Sequence, residues 1–167
     1  MPVRPKRLAT RAAPDIATYS AGPAMPGPPL AAGEYMVLLG LAAAPPLEVA
    51  TLVAAGLPWS AVERLQANTG LPLADLAPLI DTPVRTLMRR RLAGILQPAE
   101  SDRVVRVARV FARALDLHRG DRDAARAWLL APAIAFGGQP PATVARTEVG
   151  AREVENLVGR LEQGIPS

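Results

Sequence analysis

His118 is the only histidine in the 167 residues, and the chain has no cysteine. Disulfides, thiolate zinc sites, iron–sulfur clusters and cysteine nucleophiles are therefore excluded together. One imidazole cannot build a histidine cage around a metal, and it is a poor basis for a histidine-dependent triad. Near a helix end it reads as a C-terminal cation or a solvent-facing cap. Glu153 and Glu155 are paired carboxylates in sequence. Two residues apart on a helix, they point about 200° away from each other and cannot share a substrate. No Gly-rich phosphate loop follows a strand, because no strand signal is evident. Neither a cofactor nor a metal is expected, and the enzyme class is disfavoured.

What remains is arginine. The net charge of +4 is distributed unevenly. Residues 1–20 carry +3, residues 21–84 carry −4, and residues 114–167 carry −1. Residues 85–113 hold eight arginines against Glu100 and Asp102, for +6. A genome rich in arginine codons would raise charge everywhere, whereas this charge is concentrated as an anion-binding face would be. Its densest part is the run Val84–Ala93. At about 100° per residue, Leu87, Met88 and Leu92 fall within about 80° of Val84 and form one apolar stripe. Arg85, Thr86, Arg89 and Arg90 take the opposite arc with Ala93 at its centre, and Arg91 lies at an edge. Such a helix suits a DNA major groove, where guanidinium forks match guanine or phosphate oxygens. A plain solvated face remains the alternative.

The elements that would position this helix are mostly helical. Half the chain is apolar but only 4% is aromatic, which with abundant Ala, Leu and Val favours an all-α fold of closely packed helices. Residues 1–33, with seven prolines and three glycines, read as a flexible basic arm, with Met25 and Met36 as alternative starts. A short apolar element follows from Tyr35 to Leu41, then a helix entered through Pro46 and stopped at Gly56. Ser60-x-x-Glu63 is the pattern of a capping box, and that helix closes on Gly70. The next helix carries Leu73, Leu76, Leu79 and Ile80. Asp81-Thr82-Pro83 breaks it and opens the arginine helix, which stops near Gly94. Two short helices with a tight break and arginines on the second describe a helix-turn-helix.

A long helix runs from Pro98 to about His118. Val104, Val107, Ala108, Phe111 and Leu115 share its core face, and Arg106, Arg109 and Arg113 are expected to form a solvated stripe opposite. Asp121 begins a further helix ending near Leu130. Gly137-Gly138 and Pro140-Pro141 form a loop before a last helix at Val149–Gln163. There Val154, Leu157, Val158 and Leu161 make the apolar face, and Arg152, Glu155, Arg160 and Glu162 are the polar groups available to a partner. Trp128, Leu129, Leu130, Ile134 and Phe136 gather around the Gly-Gly turn, either as a satellite core or as an anchor cluster. The apolar window Tyr35–Ala44 is about half the ~20 residues a membrane span requires, and no apolar run suits a signal peptide. Cytoplasmic residence is expected, with no membrane partner.

Residues from Leu57 to Leu117 resemble the helix-turn-helix half of Xre/MbcA/ParS-type antitoxins. The tail from Asp121 resembles their C-terminal toxin-binding domain. The features that carry the resemblance are Pro98-x-Glu100-Ser101-x-Arg103, Ala127-Trp128-Leu129 through Phe136-Gly137-Gly138, Pro140 and the Glu148–Gly164 run. Ala133 departs from the pattern, which has a polar residue in the turn before Gly137-Gly138. The resemblance covers about residues 35–167 and implies, after the arm at 1–33, a helix-turn-helix domain at 34–118 and a toxin-binding domain at 119–167. It implies an antitoxin that neutralises a cognate RES-domain, NAD⁺-degrading toxin by occluding its active site and that represses its own operon by binding operator DNA; the symmetry of DNA sites suggests a homodimer. Arg85, Thr86, Arg89 and Arg90 would meet DNA, and Phe136, Gly137, Gly138, Arg152, Glu155 and Arg160 the toxin. On this reading, ending the chain near Leu130 is expected to leave 35–118 folded. A stand-alone dimeric DNA-binding regulator is the alternative.

Overall fold

The computed structural model describes residues 35–42 and 44–163, so the expected basic arm at 1–33 lies outside the described residues. The elements are α1 (Tyr35–Leu38), α2 (Pro46–Ala55), α3 (Trp59–Thr69), α4 (Leu73–Leu79), α5 (Val84–Ala93), α6 (Pro98–Leu117), α7 (Arg122–Leu130), a 3-10 turn (Ile134–Phe136), α8 (Pro141–Val144) and α9 (Glu148–Glu162). Among the described residues there is no strand, only an isolated bridge between Pro58 and Ile95. The fold is all-α, a helix-turn-helix region followed by a smaller helical one.

Helix starts follow local chemistry, with one departure from expectation. Ser60 and Glu63 do not form a capping box. Pro58, fixed at φ −64°, ends the extended segment one residue earlier, and α3 begins at Trp59 without a side-chain cap. Glu63 instead accepts a hydrogen bond from the Trp59 indole at 3.0 Å. The reciprocal box appears at α6, where Gln97 and Glu100 each satisfy the other's backbone. Asp121 caps α7 by accepting from the amides of Asp123 and Ala124, both at 3.0 Å. Thr147 caps α9 through the Gly150 amide at 3.1 Å.

The long helix α6 is the axis of the molecule and packs against α1, α2, α3, α7 and α9. Its expected core face, Val104, Val107, Ala108, Phe111 and Leu115, is buried. The opposite side is not a solvated stripe. Arg106 is buried and donates to the Arg146 carbonyl at 2.8 Å. Arg109 pairs with Glu155 at 2.5 Å and Glu148 at 2.8 Å, and Arg113 with Glu162 at 3.0 Å. These arginines form the seam to α9 and to the segment just before it. Periodicity could not show this, because arginines facing carboxylates on a distant helix read like arginines facing water.

A single apolar core runs from Leu38 to Val154 and draws on both halves of the chain. Further links cross between them. Arg122 and Arg126 of α7 donate to the carbonyls of Ala67 and Gly70 at the end of α3, at 3.2 and 2.9 Å, where cations favour a helix C-terminus. The expectation that 35–118 would stand without the tail is therefore not supported. Removing α8 and α9 would uncover α6 and leave Arg106 and Arg109 without their partners.

Candidate functional site: a helix-turn-helix and an exposed loop

The turn between α4 and α5 is built from three sides. Asp81 takes a left-handed conformation, φ 48°, which Asp tolerates better than bulkier residues. Arg103 of α6 donates to the Ile80 and Asp81 carbonyls at 3.4 and 3.2 Å. Arg146, from the segment between α8 and α9, donates to the Asp81 carboxylate at 2.7 Å. At the far end of α5, Gly94 is left-handed, its carbonyl accepts from the Trp59 amide at 2.9 Å, and the Leu96 amide donates to the Leu57 carbonyl at 2.8 Å. The arginine helix is thus fixed at both ends.

Leu87 is the only fully buried residue of α5, with Thr86 and Arg90 half-buried beside it. This places the core direction about a third of a turn from the one periodicity suggests. Arg90 is held at 2.9–3.0 Å by Glu100, a buried carboxylate that also accepts from the Gln97 amide at 2.8 Å. It closes the α5–α6 corner and is not part of a free DNA-facing arc. Arg85 and Arg89 are exposed as expected. Val84, Met88 and Leu92, expected in the core, are exposed as well, Leu92 at 90%. The outward face of α5 therefore centres on Arg85 and Leu92, flanked by Met88 and Arg89. Ten residues with arginine on nearly every side leave the rotation undetermined in sequence. The partner of Glu100 is not fixed by sequence, since Arg103 stands three residues along the same helix, but in the structure Arg90 takes it.

The second candidate surface lies in the tail. Between α7 and α8 the chain turns at Gly137 and Gly138, with φ of 62° and 85°. A Cβ at either would meet nothing within 4 Å, so the glycines serve backbone conformation and leave the turn uncovered. With Ala133 in place of a polar residue, the main chain closes the loop. The Ala133 carbonyl accepts from the amides of Phe136 and Gly138 at 3.1 and 2.9 Å. Phe136 and Trp128 are half-buried and pack on the core. The Trp128 ring lies 6.2 Å from that of His118, which caps α6 and is half-buried rather than free in solvent. Of the five apolar residues expected around the Gly-Gly turn, Ile134 projects outward, 97% exposed, and does not join a satellite core. Leu130 and Val149 are also exposed.

On α9 the expected partner-facing residues divide. Arg152 and Arg160 are exposed, on the same side as Val149, Glu153 and Asn156. Glu155 and Glu162 face α6 instead, held by Arg109 and Arg113. Burial alone would push the Arg109 guanidinium pKa down, but hydrogen bonds and charge from Glu155 and Glu148 outweigh it and the net shift is upward. Burial likewise acts to raise Glu148, yet Arg109 and then Arg152 hold its carboxyl below the usual carboxylate range. Among the described residues no cluster of three or more acids or histidines could hold a metal, and no helix is long and apolar enough to cross a membrane.

A helix-turn-helix braced by a smaller helical region is an architecture of contact with other macromolecules. Residues 48–109 match the Antitoxin Xre-like helix-turn-helix domain, and residues 113–164 match the Antitoxin Xre/MbcA/ParS C-terminal toxin-binding domain. The boundary between the two matches falls inside α6. Similar whole proteins include an Antitoxin Xre of Yersinia enterocolitica, 36% identical over 62% of this chain and 71% of that protein. An Antitoxin Xre of Photorhabdus laumondii is 35% identical over 67% of this chain and 76% of that protein. The chain belongs to the Xre antitoxin family.

Proposed function

We propose that this protein is the antitoxin of a RES–Xre pair. It neutralises a cognate RES-domain toxin that degrades NAD⁺ by occluding its active-site opening, and as a cytoplasmic homodimer it represses its own operon through α5. It acts by contact and performs no chemistry of its own. The observation that carries the reading is the pairing, in one chain, of two family regions that each present a prepared surface. One is the outward face of α5, with Arg85 and Arg89. The other is the Gly137-Gly138 loop with Ile134 at its tip, continued by Arg152 and Arg160 on α9. Phe136 supports that loop from within. A shape that is held by backbone bonds and leaves an isoleucine in water suits docking into a partner's cleft.

Co-expression with the neighbouring reading frame tests it. Growth and the cellular NAD⁺ level should recover with the full chain, and a promoter fusion should be silenced. Recovery of growth without recovery of NAD⁺ would exclude the proposed target. Loss of silencing with retained neutralisation would exclude the operon role. Match of residues 113–164 to a toxin-binding domain favours this reading over a regulator whose tail only dimerises. Purification of the chain as a complex with the neighbouring gene product separates the two.

A further inference from the structure

The outward face of α5 carries apolar side chains between its arginines, and the arrangement calls for a ligand that is both anionic and locally apolar. Val84, Met88 and Leu92 stand one turn apart, exposed at 41%, 43% and 90%. Arg85 and Arg89 alternate with them along the same side, and among the described residues neither is drawn into an ion pair as Arg90 is. A protein cleft would have to bury two arginines to cover the leucine. The major groove does not: phosphates and guanine edges lie beside thymine C5-methyl groups, the apolar feature of that groove. We infer that Met88 and Leu92 read thymine methyl groups in the operator while Arg85 and Arg89 hold guanine edges or flanking phosphates. The inference rests on α5 being the element that meets DNA, and it adds the base class recognised at two positions.

Uracil differs from thymine only by that methyl group, so the probe is a duplex spanning the promoter of the chain's own gene, made once with thymine and once with uracil throughout. The full-length protein should bind the thymine duplex more tightly, by about fourfold for each methyl covered. In the double variant Met88→Ala/Leu92→Ala the ratio should fall to about one, while the salt dependence stays that of the parent because the arginines are untouched. Both side chains are exposed, so an unchanged thermal midpoint will certify the variant's fold. Equal affinity of the parent for both duplexes overturns the inference and leaves the DNA-binding role standing. An unchanged ratio in the variant overturns it as well, by assigning methyl contact to other residues. Conversion of a dimer to a monomer by Leu92→Ala makes the stripe an interface between copies and overturns it. Binding to neither duplex at low salt removes the premise, and the operon role with it.

Discussion

Arg146 donates to the carboxylate of Asp81 at 2.7 Å, joining the segment ahead of α9 to the left-handed turn that launches α5. Each residue comes from a different family region, so the pair is a direct seam between them. Both side chains are substantially exposed, which screens the attraction. A double-mutant cycle with Asp81→Asn and Arg146→Ala should give a coupling of about 0.2–1 kcal/mol in urea unfolding. A coupling above about 2 kcal/mol would show that the turn depends on this pair rather than on Arg103.

Neighbouring arginines on α5 should behave differently. Arg89→Ala should leave stability within about 0.5 kcal/mol, weaken promoter binding and flatten its salt dependence, as expected when a surface phosphate contact is lost. Arg90→Ala should cost about 1–3 kcal/mol by leaving Glu100 buried without its cation. Adding Glu100→Gln to Arg90→Ala should recover part of that loss. Urea midpoints and a salt titration of DNA affinity distinguish the two residues, and identical behaviour would overturn the assignment of Arg90 to the scaffold.

How much of this was legible in sequence depends on what kind of contact an element makes. Starts and stops were readable where proline, glycine or a capping acid acts locally, as at Gly56, Gly70, Gly94 and Asp121. The apolar faces of α6 and α9 were readable because Val and Leu recur at helical spacing against one core. The rotation of α5 was not, since Leu87 alone anchors it and three further apolar residues point to water. Nor was the role of Arg106, Arg109 and Arg113 toward the tail, because their partners there lie 39–49 residues away, beyond any helical spacing. The helix-turn-helix is thus legible in the sequence while the outward side of α5 is not.

Two glycines on α9 separate steric need from mere tolerance. A Cβ at Gly150 would lie 1.9 Å from the Val144 carbonyl oxygen, where α9 crosses the end of α8. Gly150→Ala should therefore cost about 1–3 kcal/mol or more, because a backbone oxygen cannot step aside as a side chain can. Gly159 has nothing within 4 Å of such a position. Gly159→Ala should stabilise the helix interior by about 0.5–1 kcal/mol. Thermal midpoints that shift in the same direction for both would contradict the close approach of α8.

At the loop tip, Ile134→Asp should leave the thermal midpoint unchanged, since the side chain is already in water. If the loop docks as proposed, affinity for the partner toxin should drop at least about tenfold, the size expected for an apolar anchor. Titration calorimetry with the purified toxin measures this. Undiminished affinity would move the docking surface away from this loop, toward Arg152 and Arg160.

Acid should loosen the α6–α9 seam. The folded-state pKa of Glu148 is lowered, so its contribution is complete above the ordinary glutamate value of about 4.3 and is lost as pH falls through the lower folded value. Stability should hold from pH 7 to about 5 and decline below about 4. The Glu148→Gln variant should be slightly less stable at neutral pH, with a shallower acid decline. Urea midpoints across this range test it, and superimposable acid declines for parent and variant would remove Glu148 from the seam.

Because α6 runs through the boundary between the two matched regions and packs on α1, α2, α3, α7 and α9, the two regions share one support. A protease that starts at the tail, or a mutation that loosens α9, should weaken the helix-turn-helix region as well, since Arg106, Arg109 and Arg113 lose their partners there. If both proposed surfaces are used, the lifetime of one is then tied to that of the other without any signal passing between them.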